Sequence, residues 1–147
     1  MSRITITHGV VGGFMPPVPK KSAIIQVEDN GELSVTYNVK KDNSKEYNTF
    51  SGTVKDNSFV SFIDTLVSTF KTLPREDPPM SEDIYRFDHC ISIDDGKGFR
   101  WENMPNQGCS VGRSTVQPTE EQRKQFKEAC DGLFNLASSH AKTLVSE

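Results

Sequence analysis

The sequence predicts an α+β fold in which an antiparallel sheet packs against two amphipathic helices. Stretches with apolar residues at every second position indicate strands, and two stretches with a period near 3.6 indicate helices. The strands come in hairpin-like groups rather than alternating with helices, which favours antiparallel pairing. We expect five or six strands in the order ββββ-α-ββ-α.

The first four predicted strands comprise an N-terminal strand and a three-stranded meander. Residues 3–7 alternate isoleucine with polar residues, and the runs from Ala23 and over 33–39 show the same period. Asp29-Asn30-Gly31 separates those two runs, and Asn-Gly favours a type I′ hairpin turn. A further turn leads to residues 46–54, which complete the meander.

Both predicted helices have recognisable ends. Residues 56–58 supply cap oxygens for the first helix, and Pro74 ends it. Thr119 with Gln122 makes a capping box for the second helix, whose apolar face extends toward Leu144. The apolar stripe of the first helix consists of Phe59, Phe62, Ile63, Leu66, Phe70 and Leu73.

A second hairpin is predicted between the helices. Residues 84–93 read as a strand that turns at 94–98 into a further strand over 99–103. One face of the first of these strands would carry Tyr85, Phe87, His89, Ile91 and Ile93.

Composition restricts the class of protein. A chain of 147 residues fits one domain, 1–147, and its net charge of −3 with dispersed Lys and Arg argues against a nucleic-acid partner. The absence of a long apolar run argues against a membrane partner. The three cysteines are an odd number at wide spacing, which favours free thiols in a reducing compartment, so we expect a cytoplasmic protein.

Candidate catalytic and metal-binding residues are few. Cys109 follows Gln107-Gly108, and His89 is available elsewhere, but no pattern brings a thiol and an imidazole together. His8, His89 and His140 lack the close spacing of metal ligands. Residues 9–13 lack the phosphate-loop pattern. We therefore expect no catalytic residue, no metal and no cofactor.

Three Pro/Gly-rich segments interrupt the regular pattern: 9–21, 73–83 and 104–117. Loops on a rigid scaffold often carry function, and proline lowers the entropy lost when a partner orders a segment. Alternatively, Phe14 and Trp101 close the ends of the core, or the prolines form a ligand for an SH3 or WW domain. The candidate binding residues are Gly12, Gly13, Phe14, Met15, Pro16, Pro17, Trp101, Asn106 and Arg113.

The layout resembles a known family. Gly12-Gly13-Phe14 follows the first strand, the first helix ends in Leu73-Pro74, and Asp83-x-Tyr85-x-Phe87 precedes Ile91. This order resembles the emfourin-like small protein inhibitors of thermolysin-type metalloproteases. The resemblance implies a protease-binding surface around Gly12, Gly13 and Phe14. The chain departs from the family pattern in its added hairpin strand, its Pro-rich insertion after Phe14 and its long final helix.

These observations favour a non-enzymatic protein-binding module, with protease inhibition as its specific form. Two alternatives stay open. One is a small enzyme or ligand-binding domain with a site between sheet and helices that uses His89, Cys90 or Cys109. The other is a subunit of a larger protein assembly.

Overall fold

A computed structural model of the chain describes residues 1–9, 19–41, 46–77, 82–103 and 114–145. Within these ranges the chain forms one sheet and two helices. The strands are β1 (Ser2–His8), β2 (Lys21–Val27), β3 (Glu32–Lys40), β4 (Tyr47–Lys55), β5 (His89–Asp94), β6 (Arg100–Glu102) and β7 (Thr143–Leu144). The helices are α1 (Ser58–Phe70) and α2 (Glu120–His140).

The sheet is antiparallel throughout, with the strand order β6-β5-β1-β2-β3-β4-β7. The predicted α+β class with an antiparallel sheet and two helices is therefore confirmed. The described residues form seven strands rather than five or six, because the second helix ends at His140 and the chain then returns to the sheet. Thr143 and Leu144 pair with Ser51 and Phe50 at the edge.

Both helices pack on the same face of the sheet. The register places Ile4, Ile25 and Val35 side by side on that face, and all three are buried. Helix α1 contributes Phe59, Ile63 and Phe70 to the same core, and helix α2 contributes Phe126 and Leu133. Positions on the other face, such as Thr5, Ile24 and Thr36, are half-buried.

The β2–β3 turn lies at the predicted place but has a different geometry. Its two central residues were expected to take positive φ angles in a type I′ turn. Among the turn residues only Gly31 does so, with φ +88°. The amide of Gly31 donates to the carbonyl of Glu28 at 3.0 Å, so the turn covers 28–31 and the left-handed glycine is its last residue. The prediction of a type I′ turn was wrong, because the connection is one residue longer.

The strand expected over 84–93 starts only at His89. Arg86 and Asp88 have φ angles of 64° and 57°, which are incompatible with an extended strand. The side chain of Asp83 accepts the amides of both residues, at 3.0 Å and 2.9 Å, and so stabilises this conformation. Tyr85 is nevertheless buried, and its ring stacks on that of Phe126 at 4.1 Å.

The helix ends follow the predicted signals in part. Thr119 and Gln122 form the predicted capping box of α2. The N-cap residue of α1 is Asn57, whose side chain makes no capping hydrogen bond; Asp56 instead accepts the amide of Ser58 at 2.8 Å. Helix α1 ends at Phe70, before Pro74. Phe62 is only half-buried, unlike the other predicted members of its stripe.

The two ends of the sheet differ in character. The end formed by His8, Lys21 and His89 with the neighbouring Asn103 is called the histidine end below. The opposite end carries the turns at Gly31 and Gly96 and is called the hairpin end. The described residues on either side of 10–18 and 42–45, and the residue that precedes 104–113, all lie at the histidine end.

Candidate functional site

Most of the predicted binding residues lie outside the described residues. These are Gly12, Gly13, Phe14, Met15, Pro16, Pro17, Asn106 and Arg113. The structure nevertheless places the residues that flank them in the chain, and these flanking residues determine where the segments are attached.

Trp101 is the one predicted binding residue that the structure describes, and it belongs to the core. Its side chain is 4% exposed and its indole Nε1 donates to the carbonyl of Leu73 at 3.0 Å. The ring meets Phe70 edge-to-face, with centroids 4.8 Å apart. The position of Trp101 therefore fits the alternative interpretation, in which this side chain closes the end of the core. Its ring exposes almost no surface to a partner.

Segment 10–18 is attached beside the start of β5. The amide of Gly9 donates to the carbonyl of Asp88 at 3.0 Å, and the amide of Lys20 donates to the carbonyl of His8 at 2.9 Å. The hydroxyl of Tyr47 donates to the carbonyl of Pro19 at 2.6 Å. Both flanks of the segment are therefore held by hydrogen bonds to the sheet.

Segment 104–113 begins at the same place. Asn103 is 4% exposed, and its amide Nδ2 donates to the carbonyl of His89 at 2.9 Å. Its Oδ1 accepts the amide of Ile91 at 2.7 Å. A buried side chain with both amide atoms bonded holds its backbone firmly. The sequence does not indicate this role of Asn103, since an asparagine at a strand end is usually a turn residue.

The far flank of 104–113 is joined to the connector after α1. The hydroxyl of Ser114 accepts the amide of Asp77 at 2.9 Å, and the amide of Ser114 donates to Glu82 at 2.8 Å. The amide of Thr115 donates to the carbonyl of Asp77 at 2.8 Å. Asp77 and Glu82, two described residues of the predicted segment 73–83, are thus hydrogen-bonded to Ser114 and Thr115.

Two histidines lie in contact at the histidine end. His8 and His89 are paired across β1 and β5, and their ring centroids are 4.6 Å apart at an interplanar angle of 37°. The ring of His89 also contacts Phe126 and Phe134 of α2. The Nδ1 atoms of both histidines are buried without a hydrogen-bond partner. The two histidines are far apart in the sequence, and the β1–β5 register brings them together.

The surroundings of His89 disfavour its charged form. Burial, together with the nearby His8 and Lys21, lowers the pKa of His89 to about 4, against the weaker influence of Asp131 and Asp88. The ammonium of Lys21 lies 4.2 Å from the ring centroid of Phe134, so a cation shares this apolar environment.

The turn before His89 stores backbone strain. Left-handed φ angles at non-glycine residues such as Arg86 and Asp88 cost on the order of 1 kcal/mol or more each and persist only when the surroundings impose them. Asp83 supplies that constraint through its bonds to both amides. Burial of its carboxyl raises the pKa of Asp83, and the accepted amides only partly offset this.

The described thiols do not have the environment of a catalytic cysteine. Cys90 follows His89 in the strand, so the two side chains point to opposite faces of the sheet. The thiol of Cys90 donates to the carbonyl of Asn103 at 3.0 Å, and burial raises its pKa to about 11. Burial also raises the pKa of Cys130. A nucleophilic cysteine needs the opposite shift. Cys109 lies outside the described residues.

The described ranges contain no group of three or more His, Cys, Asp or Glu side chains placed to hold a metal ion. Neither helix that the structure describes has the length and apolar composition needed to cross a membrane. No protein-family model matches the chain, and neither a curated protein nor a solved structure matches it.

Proposed function

We propose that this chain is a non-enzymatic protein-binding module that binds its partner through the histidine end of the sheet. In its specific form, the partner is a thermolysin-type metalloprotease, which the chain inhibits. The observation that carries the proposal is the common attachment point of segments 10–18 and 104–113. Gly9 is bonded to Asp88, and Asn103 is bonded to the adjacent His89.

The common attachment supports a single binding surface. The two segments each belong to a Pro/Gly-rich loop, and they are distant in sequence. A partner that contacts both needs them on the same side of the domain. The β1–β5 pairing and the side chain of Asn103 supply that arrangement.

The base of this surface is held by the rest of the molecule. His89 packs on two phenylalanines of α2, and Asp83 constrains the turn that precedes it. A binding segment on a rigid base loses less conformational entropy when its partner binds. The resemblance to emfourin-like inhibitors adds the class of partner, because its Gly12-Gly13-Phe14 motif falls in segment 10–18.

The proposal is tested by titrating the purified chain against thermolysin with a fluorogenic peptide substrate. We expect stoichiometric inhibition, and Phe14→Ala should raise the inhibition constant about tenfold or more, as truncation of a central aromatic contact does. Lys97→Ala is the matched control, since Lys97 is an exposed residue at the hairpin end and its loss should leave inhibition unchanged.

Two results would overturn parts of the proposal. If a folded chain inhibits neither thermolysin nor related metalloproteases, the inhibitor form is wrong. If Lys97→Ala weakens inhibition as much as Phe14→Ala, the partner does not bind at the histidine end. Circular dichroism of each variant separates these outcomes from unfolding.

A further inference from the structure

The histidine pair, His8 and His89, terminates the β1–β5 ladder. His8 is the last residue of β1 and His89 is the first residue of β5. The next backbone contacts beyond the pair are those that hold segment 10–18, from Gly9 to Asp88 and from Lys20 to His8. Any force that separates the two rings therefore acts on the attachment of the segment.

Protonation would create such a force. A charged imidazole carries two N–H donors, whereas the buried Nδ1 atoms of both rings have no acceptor beside them. Two charged rings at a centroid distance of 4.6 Å would also repel each other. Both effects disappear when the strand end opens and the rings reach solvent.

The charged neighbours do not remove this conflict. Lys21 of β2 adds a positive charge on the same face, beside Phe134. Helix α2 brings Lys127 and Asp131, but these two are bonded to each other at 3.1 Å. Asp88 lies in the turn that directly precedes His89, and its carboxylate counteracts the lowering of the His89 pKa only weakly.

We propose that the histidine pair is a pH-sensitive element that keeps the end of the β1–β5 ladder closed near neutral pH and opens it in acid. Opening releases the attachments at Gly9 and Lys20. The inference rests on the proposed function in one respect: acid should then weaken partner binding through segment 10–18. The opening itself requires no partner.

The lowered pKa of His89 is consistent with opening of the ladder end in acid. In the closed state the ring binds a proton only near pH 4, whereas an exposed ring binds it near 6.5. Between these values the open state binds more protons than the closed state. Acid therefore shifts the equilibrium toward the open state.

The test is amide hydrogen exchange followed by NMR between about pH 7 and about pH 4.5, corrected for intrinsic exchange rates. From the two pKa values, the opening equilibrium at the Gly9 and Lys20 amides should increase by at least about tenfold in acid. The amides of Gly31 and Asp56, which are bonded at the hairpin end, should not respond.

Substitutions separate the histidine pair from other acid effects. His89→Phe keeps an aromatic ring without a titrating group and should abolish the pH response at Gly9. His8→Phe should reduce it, and provides a second variant if His89→Phe does not fold. His140→Phe is the control, since His140 lies at the end of α2, and it should leave the response unchanged.

The proposal is wrong if exchange at Gly9 does not change with pH, or if His89→Phe retains the full response. Inhibition of thermolysin is then compared at the two pH values. A pH response of exchange without any inhibition supports the pH-sensitive element and defeats the proposed function. Inhibition without a pH response of exchange supports the proposed function and defeats the pH-sensitive element.

Discussion

Gly52 and Gly132 differ in how much space is available for a side chain at their positions. Gly52 lies on the helix-facing side of β4, where the backbone of His140 and Ala141 approaches it directly. A Cβ at position 52 would overlap the carbonyl of His140. Gly132 lies within α2, and a Cβ there would meet nothing within 4 Å.

Alanine at these two positions should therefore have opposite effects. We expect Gly52→Ala to lower the free energy of unfolding by about 1–3 kcal/mol, since overlapping backbone atoms must move apart. Gly132→Ala should raise it by about 1 kcal/mol, because alanine is the better helix former. Equilibrium urea denaturation measures both, and a neutral Gly52→Ala would contradict the close approach of α2 to β4.

At the scale of elements, α1 distributes its aromatic residues unequally. Phe70 is fully buried and contacts the rings of Trp101 and Phe126. Phe62 is half-buried and lies with Ala129 and Gly132 in a groove between the two helices. Helical periodicity places both residues on one stripe, but only the position of α2 decides which of them is covered.

The two phenylalanines should therefore differ in their contribution to stability. We expect Phe70→Ala to cost about 3–5 kcal/mol, since it leaves a cavity in the core. Phe62→Ala should cost about 1–2 kcal/mol, as expected for a side chain that keeps part of its surface in water in the folded state. Thermal and urea denaturation would check the order. Ser68→Ala, at an exposed position, is the control.

The predicted and the observed elements agree where an element depends only on residues that are close together in the sequence. The meander follows from two-residue periodicity and turn residues, and α2 begins at a capping box that needs only Thr119 and Gln122. The turn over 83–88 could not be predicted, because it depends on one carboxylate, Asp83, that reaches amides three and five residues ahead. The sequence of this turn has the alternating pattern of side chains that is typical of a strand.

At the scale of the molecule, the histidine end could not be predicted either. The meeting of His8 and His89 requires β5 to lie beside β1, and strand order is not encoded in the periodicity of either strand. The composition of the sequence indicates the loops 9–21 and 104–117 as candidate binding segments. Their common attachment became evident only from the register and from the bonds of Asn103.

The burial of His89 makes the stability of the whole molecule depend on pH. Its pKa of about 4 in the folded state lies below the value of 6.5 expected when unfolded. Its stabilising effect is therefore complete above pH 6.5 and is lost as the pH falls toward 4. Asp83 acts in the opposite sense, because its raised pKa favours the protonated folded state in acid.

We expect the free energy of unfolding to fall by about 2 kcal/mol between about pH 7 and about pH 5 through His89 alone. Urea denaturation at several pH values measures this dependence. His89→Phe should flatten the curve over the same interval. An unchanged slope in that variant would show that other groups control the pH dependence.

The central place of β1 has a consequence for how the chain folds. Strands β1 to β4 pair with their neighbours in sequence, so the meander can form from residues 2–55 by closing short loops. The β1–β5 ladder instead joins Ile6 to Ile91, and it closes a long loop. Such distant pairing slows folding. The histidine end, which depends on that ladder, should therefore be among the last parts of the molecule to form.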